Sequence, residues 1–183
     1  MCVDNSNNQS VPLHKQLELI RFERGVEVCE SIASHHAQLT TLELERLNII
    51  LTGKPDDPWR DQTTTLTLPS GRQETMSLHT NFKLIAREKL HYATGLAENG
   101  GCLDAAVSIY VALVLAHLFK DGNRRTAALA ALYFLCRYGT PIPGKALYAV
   151  KPGDLRDEKQ VGTLKTAISE MARFASRGNQ GKT

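Results

Sequence analysis

The sequence predicts a mainly α-helical fold that carries one β-hairpin. Three observations lead to this fold class. Apolar residues recur at helical spacing in most segments. Residues 103–118 are apolar on nearly every side, which is typical of a helix buried at the centre of a domain. Only residues 63–78 alternate with the period of β-strands. Because no internal repeat or linker interrupts these patterns, we expect a single domain over residues 1–183.

Two helices are expected before the hairpin. Apolar residues in 12–36 recur at helical spacing, although Gly25 weakens the middle of this helix. Thr40 and Glu43 form a capping-box pattern at the start of the second helix. Gly53 is well placed to end it. The polar residues before the first helix resemble a frayed leader.

Residues 63–78 form the predicted hairpin. Hydroxyl-bearing and apolar residues alternate in 63–68 and again in 73–78, and residues 69–72 between them form a turn signal. An isolated two-stranded hairpin is only marginally stable in water. We therefore expect this hairpin to pack on the helices or to accept a partner strand.

The second half of the chain is predicted to be helical. Helices are expected over residues 81–97, 103–118 and 124–138, with Gly139 ending the third, and a last amphipathic helix over 161–175. The expected organisation is an N-terminal helical extension (1–39), a core (40–140) and a C-terminal helix with a polar tail (141–183).

Composition and charge exclude several function classes. The chain has 22 Lys plus Arg against 19 Asp plus Glu, a formal net charge of +3, and no basic run longer than two residues. We therefore expect no direct nucleic-acid binding. The longest apolar stretch, 105–119, is too short to cross a bilayer, so we expect no membrane association. The polar N-terminus and four widely spaced cysteines favour a cytoplasmic protein with reduced thiols.

One short segment combines residue types that carry chemistry. A buried helix leads to His117, a loop follows, and the next helix begins with two arginines. The first N–H groups of a helix have no intrahelical acceptor, so a helix start attracts anions. Two arginines there are unfavourable unless an anion or a carboxylate compensates them. A lone histidine or a lone Asp-Gly-Asn turn is usually structural. Together these features predict an anion site beside a candidate base.

This segment resembles the signature of the Fic/Doc (Fido) family, whose Fic form reads H-x-F-x-[D/E]-G-N-G-R-x-x-R. The resemblance covers about residues 40–140. It implies a helical bundle around the two motif helices, with the hairpin 63–78 as a flap that holds a segment of a target protein by strand addition. The matching residues are His117, Phe119, Asp121, Gly122, Asn123 and Arg125.

The resemblance also implies an activity and roles for these residues. The reaction would be the transfer of AMP from ATP, with Mg²⁺, to a Ser, Thr or Tyr hydroxyl of a target protein. His117 would be the general base, Asp121 would hold the Mg²⁺ ion, and Phe119 would fix the loop. The phosphate-binding set would be Gly122, Asn123, Arg124 and Arg125. The target-binding flap residues would be Thr65, Leu66, Thr67, Leu68, Gly71, Gln73 and Thr75.

Two positions depart from the Fic pattern and leave the reaction open. Arg124 replaces the second glycine and Ala128 replaces the final arginine. Both changes resemble Doc, H-x-F-x-D-A-N-K-R-T-A, which implies phosphoryl transfer to a target protein. Gly122, in contrast, is Fic-like. We therefore consider AMP transfer first, phosphoryl transfer second, and a non-catalytic nucleotide- or protein-binding module third.

Regulation and other sites are less clearly indicated. Many family members are restrained by a helix with the pattern [S/T]-x-x-x-E-[G/N], which residues 94–99 match. This match lies inside the core, and Ala128 removes the usual partner of Glu98, so we interpret it as chance. Restraint by a separate antitoxin or inhibitory protein is a hypothesis. No transition-metal motif occurs, and Trp59 is expected to be a packing anchor.

Overall fold

The computed structural model describes residues 12–79, 81–139 and 142–180. It confirms a mainly helical fold with one two-stranded hairpin. The elements, in chain order, are α1 (Leu13–Ser34), α2 (Thr41–Thr52), β1 (Thr64–Thr67), β2 (Gln73–Met76), α3 (Phe82–Glu98), α4 (Cys102–Ala116), α5 (Asn123–Arg137), α6 (Gly144–Ala149) and α7 (Glu158–Gln180).

Helices α4 and α5 form the centre of the bundle. They pack most extensively on each other, while α3 and α7 lie on α4, and α1 and α2 cover α5. The stretch 126–135 of α5 is continuously buried, which its small and apolar residues permit without burying an unpaired polar group. This helix pair carries the loop 117–122 at one end, so the most buried part of the fold positions the predicted site.

Thr40 and Gly53 cap the two ends of α2, and Gly25 lets α1 approach α5 closely. The Thr40 hydroxyl accepts a hydrogen bond from the Glu43 N–H at 3.3 Å, and Gly53 ends α2 in the left-handed conformation with φ 67°. Gly25 lies where α1 crosses α5. A Cβ atom at this position would lie 2.5 Å from Leu129 Cδ1, so the missing side chain allows the two helices to approach closely.

The C-terminal part differs most from the sequence-based prediction. Helix α6 was not predicted, because its stability comes from packing: Gly144 is buried against Val26 and Leu132. Helix α7 is longer than the predicted 161–175, and the predicted polar tail begins within it. The N-terminal leader and residues 181–183 lie outside the described residues. None of the described helices combines the length and the hydropathy that a membrane span requires.

The hairpin has the register Thr64↔Met76, Thr65↔Thr75, Leu66↔Glu74 and Thr67↔Gln73. The pairs Thr64/Met76 and Leu66/Glu74 are half-buried on one face of the hairpin. The other two pairs, Thr65/Thr75 and Thr67/Gln73, are exposed on the opposite face. The Arg60 guanidinium donates hydrogen bonds to the Met76 carbonyl at 2.9 Å and to the Ser77 carbonyl at 2.6 Å. The hairpin is therefore attached to the bundle at the end of β2, as expected for so small a sheet.

The segment before the hairpin pairs with the chemistry-bearing loop. Backbone hydrogen bonds of 2.9 Å join Arg60 N to the Leu118 carbonyl and Lys120 N to the Pro58 carbonyl. Between them the Trp59 ring lies 4.7 Å from the Phe119 ring, centroid to centroid. Trp59 is buried, so its predicted packing role is confirmed.

Candidate active site

A cavity of about 400 Å³ opens at the loop between α4 and α5. Three segments line it: the loop with the adjoining helix ends, the hairpin residues 66–69, and residues 153–156 between α6 and α7. The loop contributes six of its predicted site residues to the lining: His117, Asp121, Gly122, Asn123, Arg124 and Arg125.

The other predicted site residues take different places. The side chain of Phe119, although part of the loop, is buried and does not line the cavity. Of the predicted flap residues, Leu66, Thr67 and Leu68 line the cavity. The remaining flap residues, Thr65, Gly71, Gln73 and Thr75, are exposed and lie outside this lining.

Asn123 closes the loop with its side-chain amide. Its Oδ1 accepts a hydrogen bond from Phe119 N at 2.8 Å, and its Nδ2 donates to the Phe119 carbonyl at 2.7 Å. The same Nδ2 lies 3.3 Å from His117 Nε2. Asn123 is only 7% exposed, so this amide orients the imidazole from inside the protein. Its role toward phosphate stays a prediction.

Asn48 of α2 stabilises the loop through hydrogen bonds. Its Nδ2 donates to the Asp121 carbonyl at 2.8 Å and lies 3.0 Å from the Thr126 hydroxyl, which donates to the Gly122 carbonyl. Asn48 was not predicted from the sequence. A polar residue on the buried face of an amphipathic helix, one position after Leu47, was the available signal.

Gly122 places the backbone where no other residue fits well. Its φ of 73° is in the left-handed region, and a Cβ atom there would lie 3.1 Å from Asn48 Nδ2 and 3.2 Å from Thr52 Cγ2. Gly122 precedes α5, whose start carries no side-chain cap. Because that uncapped start lines the cavity, its backbone N–H groups are suited to bind an anion.

His117 ends α4 in a strained conformation. Its φ is 46°, which is rare for a residue with a side chain, and its N–H donates to the Leu113 carbonyl. Burial lowers the pKa of the imidazole, and the positive charge of Arg60 lowers it further. The imidazole is therefore neutral near pH 7, in the form that can accept a proton.

Asp121 is the carboxylate of the loop. Burial alone would raise its pKa, but hydrogen bonds from Lys54 and from the Gly122 N–H, together with the charge of Arg125, hold the pKa below its ordinary value. Its side chain is 47% exposed, so the ionised carboxylate can meet a ligand in the cavity.

The surroundings of Asp121 suit a magnesium ion that arrives with phosphate. No group of three or more His, Cys, Asp or Glu residues in the described ranges is arranged to hold a metal ion by itself. Magnesium commonly binds one or two carboxylates and completes its shell with water and substrate phosphates. Asp121 can supply the one carboxylate in such a shell.

The two arginines that begin α5 differ in their surroundings. Arg125 pairs with Glu18 of α1 at 2.7 Å and with Asp121 at 3.3 Å. Arg124 is exposed in the cavity lining and forms no ion pair with any residue that the structure describes. Ala128, at the position of the final motif arginine, is buried. Among the described residues of this wall, Arg124 is therefore the one with an uncompensated positive charge.

Several residues of the site were not predicted from the sequence. Glu18, Arg60 and Arg156 reach the loop, the flap or the cavity from distant segments, and nothing local to them indicated this. Glu98, in contrast, lies near Tyr138, at the other end of α5 from the loop. The pattern match at residues 94–99 is thus placed away from the cavity.

The comparisons with known proteins agree with this architecture. A sequence model described as "Fic/DOC family" matches residues 32–135. Among solved structures, a Fic domain-containing signalling protein from Bacteroides thetaiotaomicron is 17% identical with a TM-score of 0.70, covering 94% of this chain and 75% of its own. Fic-1 from C. elegans, also 17% identical, has a TM-score of 0.64 and covers 99% and 54%.

A third solved structure, IbpAFic2 covalently tethered to Cdc42, is 17% identical with a TM-score of 0.53, covering 90% of this chain and 56% of its own. The chain thus spans about half of the length of two of these three proteins. No curated protein sequence matches it. Because the family model spans more than half of the residues and the fold agrees, the chain belongs to the Fic/DOC family, whose members are generally transferases that use ATP and Mg²⁺.

Proposed function

We propose that this protein transfers AMP from ATP to a hydroxyl group of a target protein. The observation that carries the proposal is the His117 imidazole, which is kept neutral and is held by Asn123 at the edge of a cavity that also contains an uncapped helix start. A base beside an anion site is the combination that hydroxyl attack on a nucleotide phosphate requires.

In the proposed reaction the target hydroxyl oxygen attacks the α-phosphorus while its proton passes to the His117 imidazole. The bond from the α-phosphorus to the bridging oxygen breaks, and pyrophosphate leaves. The N–H groups at the start of α5 and the Arg124 guanidinium stabilise the charge that develops on the phosphate oxygens. Asp121 would hold a magnesium ion, which would supply further charge neutralisation.

The hairpin is suited to present the target. Within the described residues β1 pairs only with β2, so its other edge is open, and Leu66 to Leu68 line the same cavity as His117. A target segment added to this edge would bind mainly through its backbone. The tethering of IbpAFic2 to Cdc42 supports the idea that such a fold engages another protein.

Phosphoryl transfer is the second candidate, because of Arg124. Its exposed and uncompensated side chain projects into the cavity lining, where the Fic pattern has glycine. If this side chain fills the place of the α- and β-phosphates, the nucleotide binds reversed and presents its γ-phosphate. The left-handed Gly122 favours the AMP reaction instead, because the Doc pattern has alanine at that position.

Labelled ATP distinguishes these reactions. The protein is incubated with a bacterial lysate and with ATP labelled at either the α- or the γ-phosphate, and labelled proteins are counted after separation. We expect label from the α position. Label from the γ position alone would indicate phosphoryl transfer.

Two histidine substitutions, one in the cavity and one outside it, test the role of His117 in the labelling reaction. We expect His117→Ala to lower the rate about 10²- to 10⁴-fold. His91→Ala, an exposed residue of α3 away from the cavity, should leave the rate unchanged. No labelling from either position, or equal labelling by the wild type and His117→Ala, would contradict an active transferase.

A further inference from the structure

The third wall of the cavity lies outside the segment that matches the family. Residues 153–156 follow α6, whereas the family match ends at residue 135. This wall brings one cation, Arg156, to the same cavity as His117 and Arg124. Arg156 lies outside the motif, and no pattern in the sequence indicates a role for it.

The motif wall by itself offers little free positive charge to a nucleotide. Lys120 pairs with Asp61 at 2.9 Å, and the Arg125 side chain, 18% exposed, pairs with two carboxylates. Ala128 is buried and carries no charge. Arg124 is thus the single uncompensated cation there among the described residues, although a triphosphate carries several negative charges. An arginine on another wall would add a second phosphate donor to Arg124.

Arg156 is held in place by two carboxylates and has further N–H donors that these contacts do not use. Its Nη2 lies 2.6 Å from Glu74 Oε2 on the flap, and its Nη1 lies 3.2 Å from Asp154 Oδ1. A guanidinium has five N–H donors, and one of them, on Nη1, donates a hydrogen bond to Asp154, whereas the contact with Glu74 is an ion pair. The side chain remains 33% exposed beside the cavity. The planar guanidinium is thus held by carboxylates and still has N–H groups that can donate to a ligand. This geometry suits phosphate binding.

The carboxylates near Arg156 are themselves compensated. Asp154 Oδ1 also accepts a hydrogen bond from Arg156 N at 3.1 Å, so it is turned toward its own loop. Glu74 has a second basic neighbour, Arg72, at 4.0 Å. Of these four residues, Arg156 and Asp154 line the cavity, and Arg156 is the one that can donate hydrogen bonds to an anion.

We propose that Arg156 is a second phosphate-binding arginine, which donates hydrogen bonds to the nucleotide phosphates from the wall formed by residues 153–156. This proposal rests on the proposed function, since it assumes that ATP occupies this cavity. It supplies from the C-terminal loop a charge that the motif lacks at Ala128. The flap carboxylate Glu74 orients Arg156 for this contact.

Nucleotide binding to the full chain tests the proposal. The affinities for ATP and for adenosine are measured by isothermal titration calorimetry with Mg²⁺, for the wild type, Arg156→Gln and Arg72→Gln. Arg72 is the matched control because it also neighbours Glu74 but does not line the cavity. We expect Arg156→Gln to weaken ATP binding about 10-fold or more and to leave adenosine binding unchanged. Arg72→Gln should change neither affinity.

The other outcomes contradict the proposal in different ways. Unchanged ATP affinity in Arg156→Gln, with normal binding by the wild type, would overturn the role of Arg156 and leave the proposed function intact. Equal weakening by Arg156→Gln and Arg72→Gln, or a parallel loss of adenosine binding, would assign Arg156 to the support of the flap. A wild type that binds no ATP would overturn both proposals.

Discussion

The loop after α4 and the hairpin face the same cavity, but they are held in opposite ways. Buried amides close the loop: Asn123 and Asn48 together bond its backbone at Phe119 and Asp121. The hairpin has only four residues in each strand, and its side-chain anchors, Arg60 and Arg156, come from outside it. Buried side-chain amides thus fix the part proposed for chemistry, whereas arginine side chains fix the part proposed for target binding.

The largest expected effect comes from removing an amide of the loop. Asn123→Ala leaves the Phe119 N–H and carbonyl without their partner in a buried place. We expect the free energy of unfolding to fall by about 2–4 kcal/mol, measured by urea denaturation. The exposed flap residue Thr75, changed to alanine, should cost less than about 0.5 kcal/mol. Similar costs at both positions would remove the contrast between loop and flap.

Two glycines with positive φ sharpen the contrast. Gly122 in the loop and Gly71 in the hairpin turn have φ values of 73° and 81°, but a Cβ atom meets close neighbours only at Gly122. We expect Gly71→Ala to cost about 1 kcal/mol from backbone strain and Gly122→Ala about 2–3 kcal/mol from strain plus contact. Thermal and urea unfolding measure both. Equal costs would mean that the loop adjusts as readily as the turn.

Glu18 tests whether its ion pair with Arg125 keeps that arginine from binding phosphate. Its carboxylate pairs with Arg125 at 2.7 Å, so Glu18→Gln should release positive charge toward the cavity. We expect ATP to bind about 2- to 5-fold more tightly, as measured by calorimetry. Glu23→Gln is the control, because Glu23 lies on the same helix but pairs with Lys145. Unchanged or weaker ATP binding in Glu18→Gln would show that Arg125 does not meet the phosphates.

The smallest effect is the shift of a pKa. Burial and the charge of Arg60 lower the pKa of His117 below the ordinary histidine value near 6.5. When the rate is plotted against pH, the midpoint of its fall on the acidic side should therefore lie below this value. The folded chain also binds this proton less readily than the unfolded chain, so His117 lowers stability as the pH falls through 6.5.

Titration of the His117 imidazole by NMR measures the shift directly. Arg60→Met should raise the pKa because it removes a positive charge, whereas Arg60→Lys, which retains the charge, should change it less. A pKa at or above 6.5 in the wild type would contradict the proposed origin of the neutral base.

The sequence predicted those features that are encoded locally. The cap at Thr40, the left-handed Gly53 and the hairpin turn each follow from a few neighbouring residues. The loop from His117 to Arg125 was predicted for the same reason, since one continuous segment brings its residues to the cavity.

Features that depend on distant contacts were not predictable in this way. Helix α6 forms because Gly144 packs against α1 and α5, not because of a strong local signal. Glu18 and Arg156 reach the loop and the flap only after the bundle has assembled. Their sequence surroundings resemble those of any charged surface residue, so a pattern analysis has no means of selecting them.

The central claim is that the loop between α4 and α5 binds the phosphates of a nucleotide. Amide NMR of the ¹⁵N-labelled chain during addition of ATP and Mg²⁺ tests it most directly. We expect the largest shift changes at Gly122, Asn123 and Arg124, with much smaller changes at these amides when adenosine replaces ATP. Saturable changes that map to other parts of the chain, or no change at all with ATP, would contradict the claim.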